Sequence, residues 1–173
     1  MTAKQKTLLL LFSLVLFVFS SFGQLNSAKI EKQVLAKEII DSVFVFGKWT
    51  EENQTENHLK YLDQVKTRSG HTFKIMNSIW LWGLSKRATS KILIYNLKNQ
   101  YVGHYYFALT NHLPTSLRGG KLIFTNQGND CDKNSITIIN LKHGLPKQFF
   151  RKCTGNIGHI YSFESNWNWE GQL

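Results

Sequence analysis

The run Lys91–Asn96, KILIYN, constrains the fold more than any other stretch of the chain. In an extended conformation Ile92 and Ile94 point to one side, and Leu93 and Tyr95 to the other. Both faces are apolar, so the strand must be covered on both and belongs inside a sheet. Asn96–Gln100 supplies turn residues, and Tyr101–Leu109 returns as a partner strand. Ser90–Phe107 therefore reads as a β-hairpin framework. Similar grammar recurs in Asn134–Arg151: Asn140-Leu141-Lys142 matches Asn96-Leu97-Lys98, and Phe149-Phe150 matches Tyr105-Tyr106. A second hairpin is expected there, with strands Ser135–Asn140 and Lys147–Lys152 about a turn at Leu141–Pro146.

The rest of the chain follows the same style. Val43–Phe46 is β-branched and aromatic, as strands favour. Thr72–Met76 alternates, Ile79–Leu84 is apolar on both faces, and Lys121–Thr125 and His159–Glu164 read as further strands. Thr50–Asn57 is polar and reads as a loop. His58–Lys66 fits two patterns at once: Leu59, Leu62 and Val65 have helical spacing, while Leu59-Lys60-Tyr61 alternates. One helix is expected at 27–40, capped by Ser27, with Ile30, Val34, Leu35 and Ile39 on one stripe. The expected class is mainly β: a single antiparallel β-barrel or sandwich of about nine short strands with one N-terminal helix. At 173 residues and 42% hydrophobic content, one domain has enough apolar material for a core without metal.

The N-terminus has the anatomy of a secretory signal peptide. Lys4 and Lys6 precede the apolar run Leu8–Phe19, and Ser21-Phe22-Gly23 places small residues before a cut ahead of Gln24. The competing reading is an uncleaved membrane anchor, but the run is shorter than the roughly 20 residues of a spanning helix. This divides the chain into a signal peptide, 1–23, and one β-rich domain, 24–173, and implies export to the periplasm or cell exterior. The ending SSFGQ resembles signal peptides of exported Bacteroidota proteins. No second long apolar run follows, so no transmembrane segment is expected after cleavage. In an oxidising compartment the two cysteines, Cys131 and Cys153, are expected to form a disulfide. They lie symmetrically about the Leu141–Pro146 turn, at the open end of the second hairpin.

Charge is uneven. The formal net charge is +10 at pH 7. Between Asp63 and Asp130 there is no acidic residue, while Lys66, Arg68, Lys74, Lys86, Arg87, Lys91, Lys98, Arg118 and Lys121 fall in that interval. Such a middle attracts anionic partners, or it is a set of solvated faces and turns. Nucleic acid is not an expected partner for an exported protein; an envelope polyanion is. No nucleophile elbow, P-loop or dinucleotide fingerprint occurs, and no catalytic residue, cofactor or metal ligand is assigned. Asp130-x-Asp132-x-Asn134 has the alternating oxygens of a calcium loop. Ser135 stands where that loop needs Gly and Leu141 where it needs Glu, so an Asx turn explains it. The six histidines show no zinc spacing.

The aromatics give the candidate binding residues. Trp80 and Trp82 are two apart and share a face in a strand; Trp167 and Trp169 repeat that spacing in the aromatic tail, 164–173. Pairs of this kind stack on sugar rings or sit at a membrane interface, or they are core. Gly47-Lys48-Trp49, a G-x-W after the helix and at the start of the β-rich region, resembles the first signature of lipocalin-like (calycin) barrels. That resemblance implies a barrel enclosing a small apolar ligand, with Trp49 packed under its base. The resulting expectation is a non-enzymatic exported β-domain that binds an apolar or anionic partner. A small envelope hydrolase, and an inhibitor or immunity-type protein acting through a basic face, are the alternatives.

Overall fold

The computed structural model describes residues 27–52 and 54–165. The signal peptide expected at 1–23 and the tail pair Trp167 and Trp169 lie outside the described residues. A helix, α1, spans 27–37. Ten strands follow: β1 Val43–Thr50, β2 Gln54–Lys66, β3 Thr72–Trp82, β4 Arg87–Asn96, β5 Tyr101–Phe107, β6 Ser116–Arg118, β7 Lys121–Thr125, β8 Ile136–Asn140, β9 Gln148–Thr154 and β10 Ile157–Ser165. They form two antiparallel sheets, one of seven strands in the order β1-β2-β3-β4-β5-β10-β9 and one of three, β6-β7-β8. The molecule is mainly β, with α1, the large sheet and the small sheet stacked as three layers. β1 and β9 remain free edges of the large sheet, so the sheets do not close into a barrel. Among the described residues no helix is long and apolar enough to cross a membrane.

β4 is the strand common to both cores. Ile92 and Ile94, each 0% exposed, enter the core between the sheets with Ile75, Phe107, Leu117, Leu122 and Phe124. Leu93 and Tyr95 enter a second core under α1, with Val34, Leu35, Leu59, Tyr61 and Met76. The helix is anchored further by Tyr95, whose hydroxyl donates to Glu31 Oε2 at 2.6 Å, and by Lys74, whose Nζ donates to Glu38 Oε1 at 2.7 Å. It stops short of the expected residue 40 because the backbone turns left-handed at Glu38 (φ 51°) and Asp41 (φ 62°), leaving Ile39 exposed.

The double pattern of His58–Lys66 has a structural cause. Register shifts between Tyr61 and Asp63, so Leu62 is the extra residue of a β-bulge. A bulge reverses which face successive residues occupy. Leu59 and Tyr61 thus reach the helix core, and Leu62 and Val65 reach the inter-sheet core. β3 is longer than expected, because Asn77 and Ser78 stay in register with both neighbours and fuse two short strands into one. β2 also starts earlier, at Gln54, in what reads as a loop.

The first hairpin forms as expected, with Ile92 opposite Tyr105. The second does not. β8 pairs with β7 in the small sheet, while β9 pairs with β10 in the large one. The two Asn-Leu-Lys turns share only their local chemistry: Asn96 Oδ1 accepts from Lys98 N–H, and Asn140 Oδ1 from Lys142 N–H. Leu97 is 59% exposed at a hairpin tip, whereas Leu141 is fully buried in the core. Burying Leu141 draws the chain across from one sheet to the other. The disulfide Cys131–Cys153 is present. It ties the β7–β8 loop to the end of β9, and so links the two sheets rather than the legs of one hairpin.

Candidate functional site

Trp80 and Trp82 fall at the end of β3, on the face that α1 covers farther along the strand. Their rings stack with centroids 5.7 Å apart and planes 25° apart. Trp82 Nε1 donates to Thr89 Oγ1 on β4 at 3.1 Å, which fixes its ring. The β3–β4 turn is tight: Gly83 (φ 69°) and Lys86 (φ 50°) both adopt left-handed backbone, and Lys86 N–H donates to Gly83 O. Trp49, from the end of β1, joins through its indole Nε1, which donates to Gly83 O at 2.8 Å. Three indoles from two strands, β1 and β3, are therefore gathered around one turn.

That turn also carries two cations. Lys86 Nζ lies 5.2 Å above the Trp49 ring centroid, and the Arg87 guanidinium lies 5.6 Å above that of Trp82. Both distances are those of cation–π contact. Neither cation has a carboxylate within salt-bridge distance among the described residues. Glu56 is the neighbouring acid. It is already bound to the His58 imidazole and accepts from Trp49 N–H, and those two bonds hold its carboxyl below the ordinary range. Trp80 is 41% exposed and Leu84 72%. The surface offers apolar ring area beside uncommitted positive charge. It can stack a sugar ring and pair a carboxylate or sulfate.

Of the residues expected to bind, the structure brings Trp80 and Trp82 together and adds Trp49, Lys86 and Arg87. Trp49 packs beside a turn at the end of the large sheet, and this arrangement adds no support to the calycin resemblance. The space between the sheets is filled by packed rings, among them Phe107 against Tyr161 at 4.0 Å and Tyr105 against Phe149 at 5.0 Å. Asp132 closes the expected Asx turn: Oδ1 accepts from Asn134 N–H and Oδ2 from Ser135 Oγ.

Three further features come from residues far apart in sequence. At the opposite end of the large sheet, Arg68 N–H donates to Lys142 O at 2.8 Å and Leu141 N–H to Gly120 O at 2.9 Å. Those bonds gather the exposed cations Lys66, Arg68, Lys121 and Lys142 at one corner. Along the open β1–β3 side runs a cleft of about 300 Å3, floored by Asn77 and Ile79 and walled by Leu113–Thr115. Asn77 Nδ2 donates to Pro114 O, and its buried Oδ1 has no hydrogen-bond partner among the described residues. Beside the disulfide, buried His112 sits between Tyr161 OH at 2.9 Å and Asp130 Oδ2 at 3.2 Å. Burial pushes the His112 imidazole below its ordinary range; Asp130 opposes this, and Arg151 and His159 add to it. The hydroxyl on His112 belongs to buried Tyr161, so this pair activates no exposed nucleophile. No family model matches the chain, and neither a curated protein nor a solved structure does.

Proposed function

We propose that the chain is an exported, non-enzymatic β-domain that binds an acidic polysaccharide through Trp80, Trp82, Arg87 and Lys86. One observation carries the reading: a stacked indole pair, with Trp80 exposed and Trp82 half-buried, beside two cations that have no carboxylate partner among the described residues. Indole faces recognise the apolar face of a sugar ring, and the cations select rings that bear carboxylate or sulfate. A polyuronate combines both features in every residue. The formal net charge, +10 for the whole chain and +8 once Lys4 and Lys6 are removed with residues 1–23, raises the encounter rate with such a polymer.

Tryptophan fluorescence titration tests this with three polymers: polygalacturonate, heparin and neutral dextran. Polygalacturonate should change the emission and bind more weakly as salt rises. Trp80→Ala should weaken it about tenfold, since one stacked ring contributes about 1–3 kcal/mol and about 1.4 kcal/mol is a factor of ten. Equal binding of dextran, or an unchanged affinity in Trp80→Ala, defeats the reading. A second reading, a small ligand with an apolar part, draws support from the cleft of about 300 Å3 and the unpaired Asn77 Oδ1 on its floor. Native mass spectrometry of protein purified from its source envelope decides that case: a retained small molecule supports it and a bare chain does not.

A further inference from the structure

We propose that reduction of Cys131–Cys153 converts the corner beside His112 into a binding site for a tetrahedral divalent cation such as zinc. Three of the four donor atoms are already assembled. A ring nitrogen of His112, a carboxylate oxygen of Asp130 and Cys131 Sγ all lie within 4.8 Å of one another. Cys153 Sγ is bonded to Cys131 Sγ, so it adjoins this group without being part of it. Two thiolates, an imidazole and a carboxylate make a four-donor set of the kind zinc takes. While the disulfide is intact, neither sulfur is a thiolate and only two good donors remain.

The surroundings fit a metal in three ways. His112 Nδ1 lies 2.9 Å from Tyr161 OH and Nε2 lies 3.2 Å from Asp130 Oδ2; with the proton on Nδ1, donated to Tyr161 OH, Nε2 carries the lone pair that ligates. His112 is 2% exposed, so its orientation is set by packing. Two thiolates and one carboxylate around a divalent ion leave one negative charge, and Arg151 supplies the balancing positive one. Arg151 is 1% exposed, with Nη1 4.0 Å from Cys131 Sγ and Nε without a hydrogen-bond partner among the described residues. The same cation stabilises the thiolates over the thiols. His112, Asp130 with Cys131, and Cys153 come from three separate segments, so no ligand spacing is visible in the sequence.

The chemistry balances with a dithiol or phosphine reductant. It supplies two electrons, the S–S bond breaks, and each sulfur takes up one proton. The dithiol closes to its own disulfide, or the phosphine takes an oxygen from water. Metal binding then forms two sulfur–metal bonds and releases two protons to solvent.

Anaerobic titration with Co2+ tests the proposal on the full folded chain, before and after treatment with a phosphine reductant. Reduced protein should show the visible bands of tetrahedral cobalt and a near-ultraviolet thiolate-to-cobalt band, saturating at one-to-one. Oxidised protein should show neither. In reduced protein, His112→Gln and Asp130→Asn should each weaken Co2+ binding at least about tenfold. Zn2+ should raise the melting temperature of the reduced chain and leave that of the oxidised chain unchanged. Absence of the thiolate-to-cobalt band overturns the proposal. So does an equal affinity in both variants, or a cobalt spectrum that persists when circular dichroism shows the reduced chain unfolded.

Discussion

Reducing the Cys131–Cys153 bridge should cost the fold about 3 kcal/mol. The bridged residues are 22 apart in sequence, and closing a loop of that size restricts the unfolded chain by about 3 kcal/mol. The native side should change little, because hydrogen bonds hold the same junction independently. Asp132 N–H donates to Cys153 O at 3.0 Å, and Asn126 Nδ2 donates to Asp132 O at 2.8 Å. The effect therefore falls on the unfolded state. Urea denaturation of oxidised and reduced protein, with chelator present to exclude metal, measures it. With a slope of about 2 kcal/mol per molar, the midpoint should drop by about 1.5 M on reduction. The slope itself should rise, since the reduced unfolded chain exposes more surface. A midpoint change under about 0.3 M would show that the bridge constrains little. Loss of near-ultraviolet circular dichroism without denaturant would show that the bridge, rather than packing, seats the small sheet.

Other predictions concern β4, its hairpin tip and the histidines. Ile94→Ala, at a fully buried position between the sheets, should cost about 2–5 kcal/mol. Leu97→Ala, at the exposed tip of the same hairpin, should stay within about 0.5 kcal/mol. Chemical denaturation compares them, and similar costs would contradict the burial of β4. Burial pushes the His104 imidazole below its ordinary value of 6.5, Lys91 adds to this, and Glu164 opposes it. The unfolded chain then takes up the proton first, so this contribution is complete above pH 6.5 and is lost as pH falls toward the folded value. NMR titration should place His104 below 6.5, and a raised value would reverse the sign.

The sequence makes β4 legible because its requirement is local: four consecutive side chains that are apolar in both directions demand cover on both sides. The disulfide is legible too, since only two cysteines exist and compartment logic pairs them. The Trp80–Trp82 pair follows from period-two spacing. What fails is pairing at a distance. Asn140-Leu141-Lys142 repeats the letters of the first turn, yet the fate of Leu141 depends on a core assembled from other strands. The bulge at Leu62 hides a long strand behind helical spacing. Lys86 and Arg87 read as a basic turn. Only the fold shows that this turn meets Trp49 as well as Trp82. The Arg68–Lys142 corner and the His112 cluster are contributed by segments that no linear pattern connects.

The most direct test of the account is NMR mapping with an oligogalacturonate. The indole Nε1–H signals of Trp80 and Trp82 and the guanidinium signal of Arg87 should shift together and saturate at one ligand concentration. The amides of Arg68, Lys121 and Lys142, at the other end of the large sheet, should stay in place. Shifts confined to that far corner, with the indoles unmoved, would contradict it.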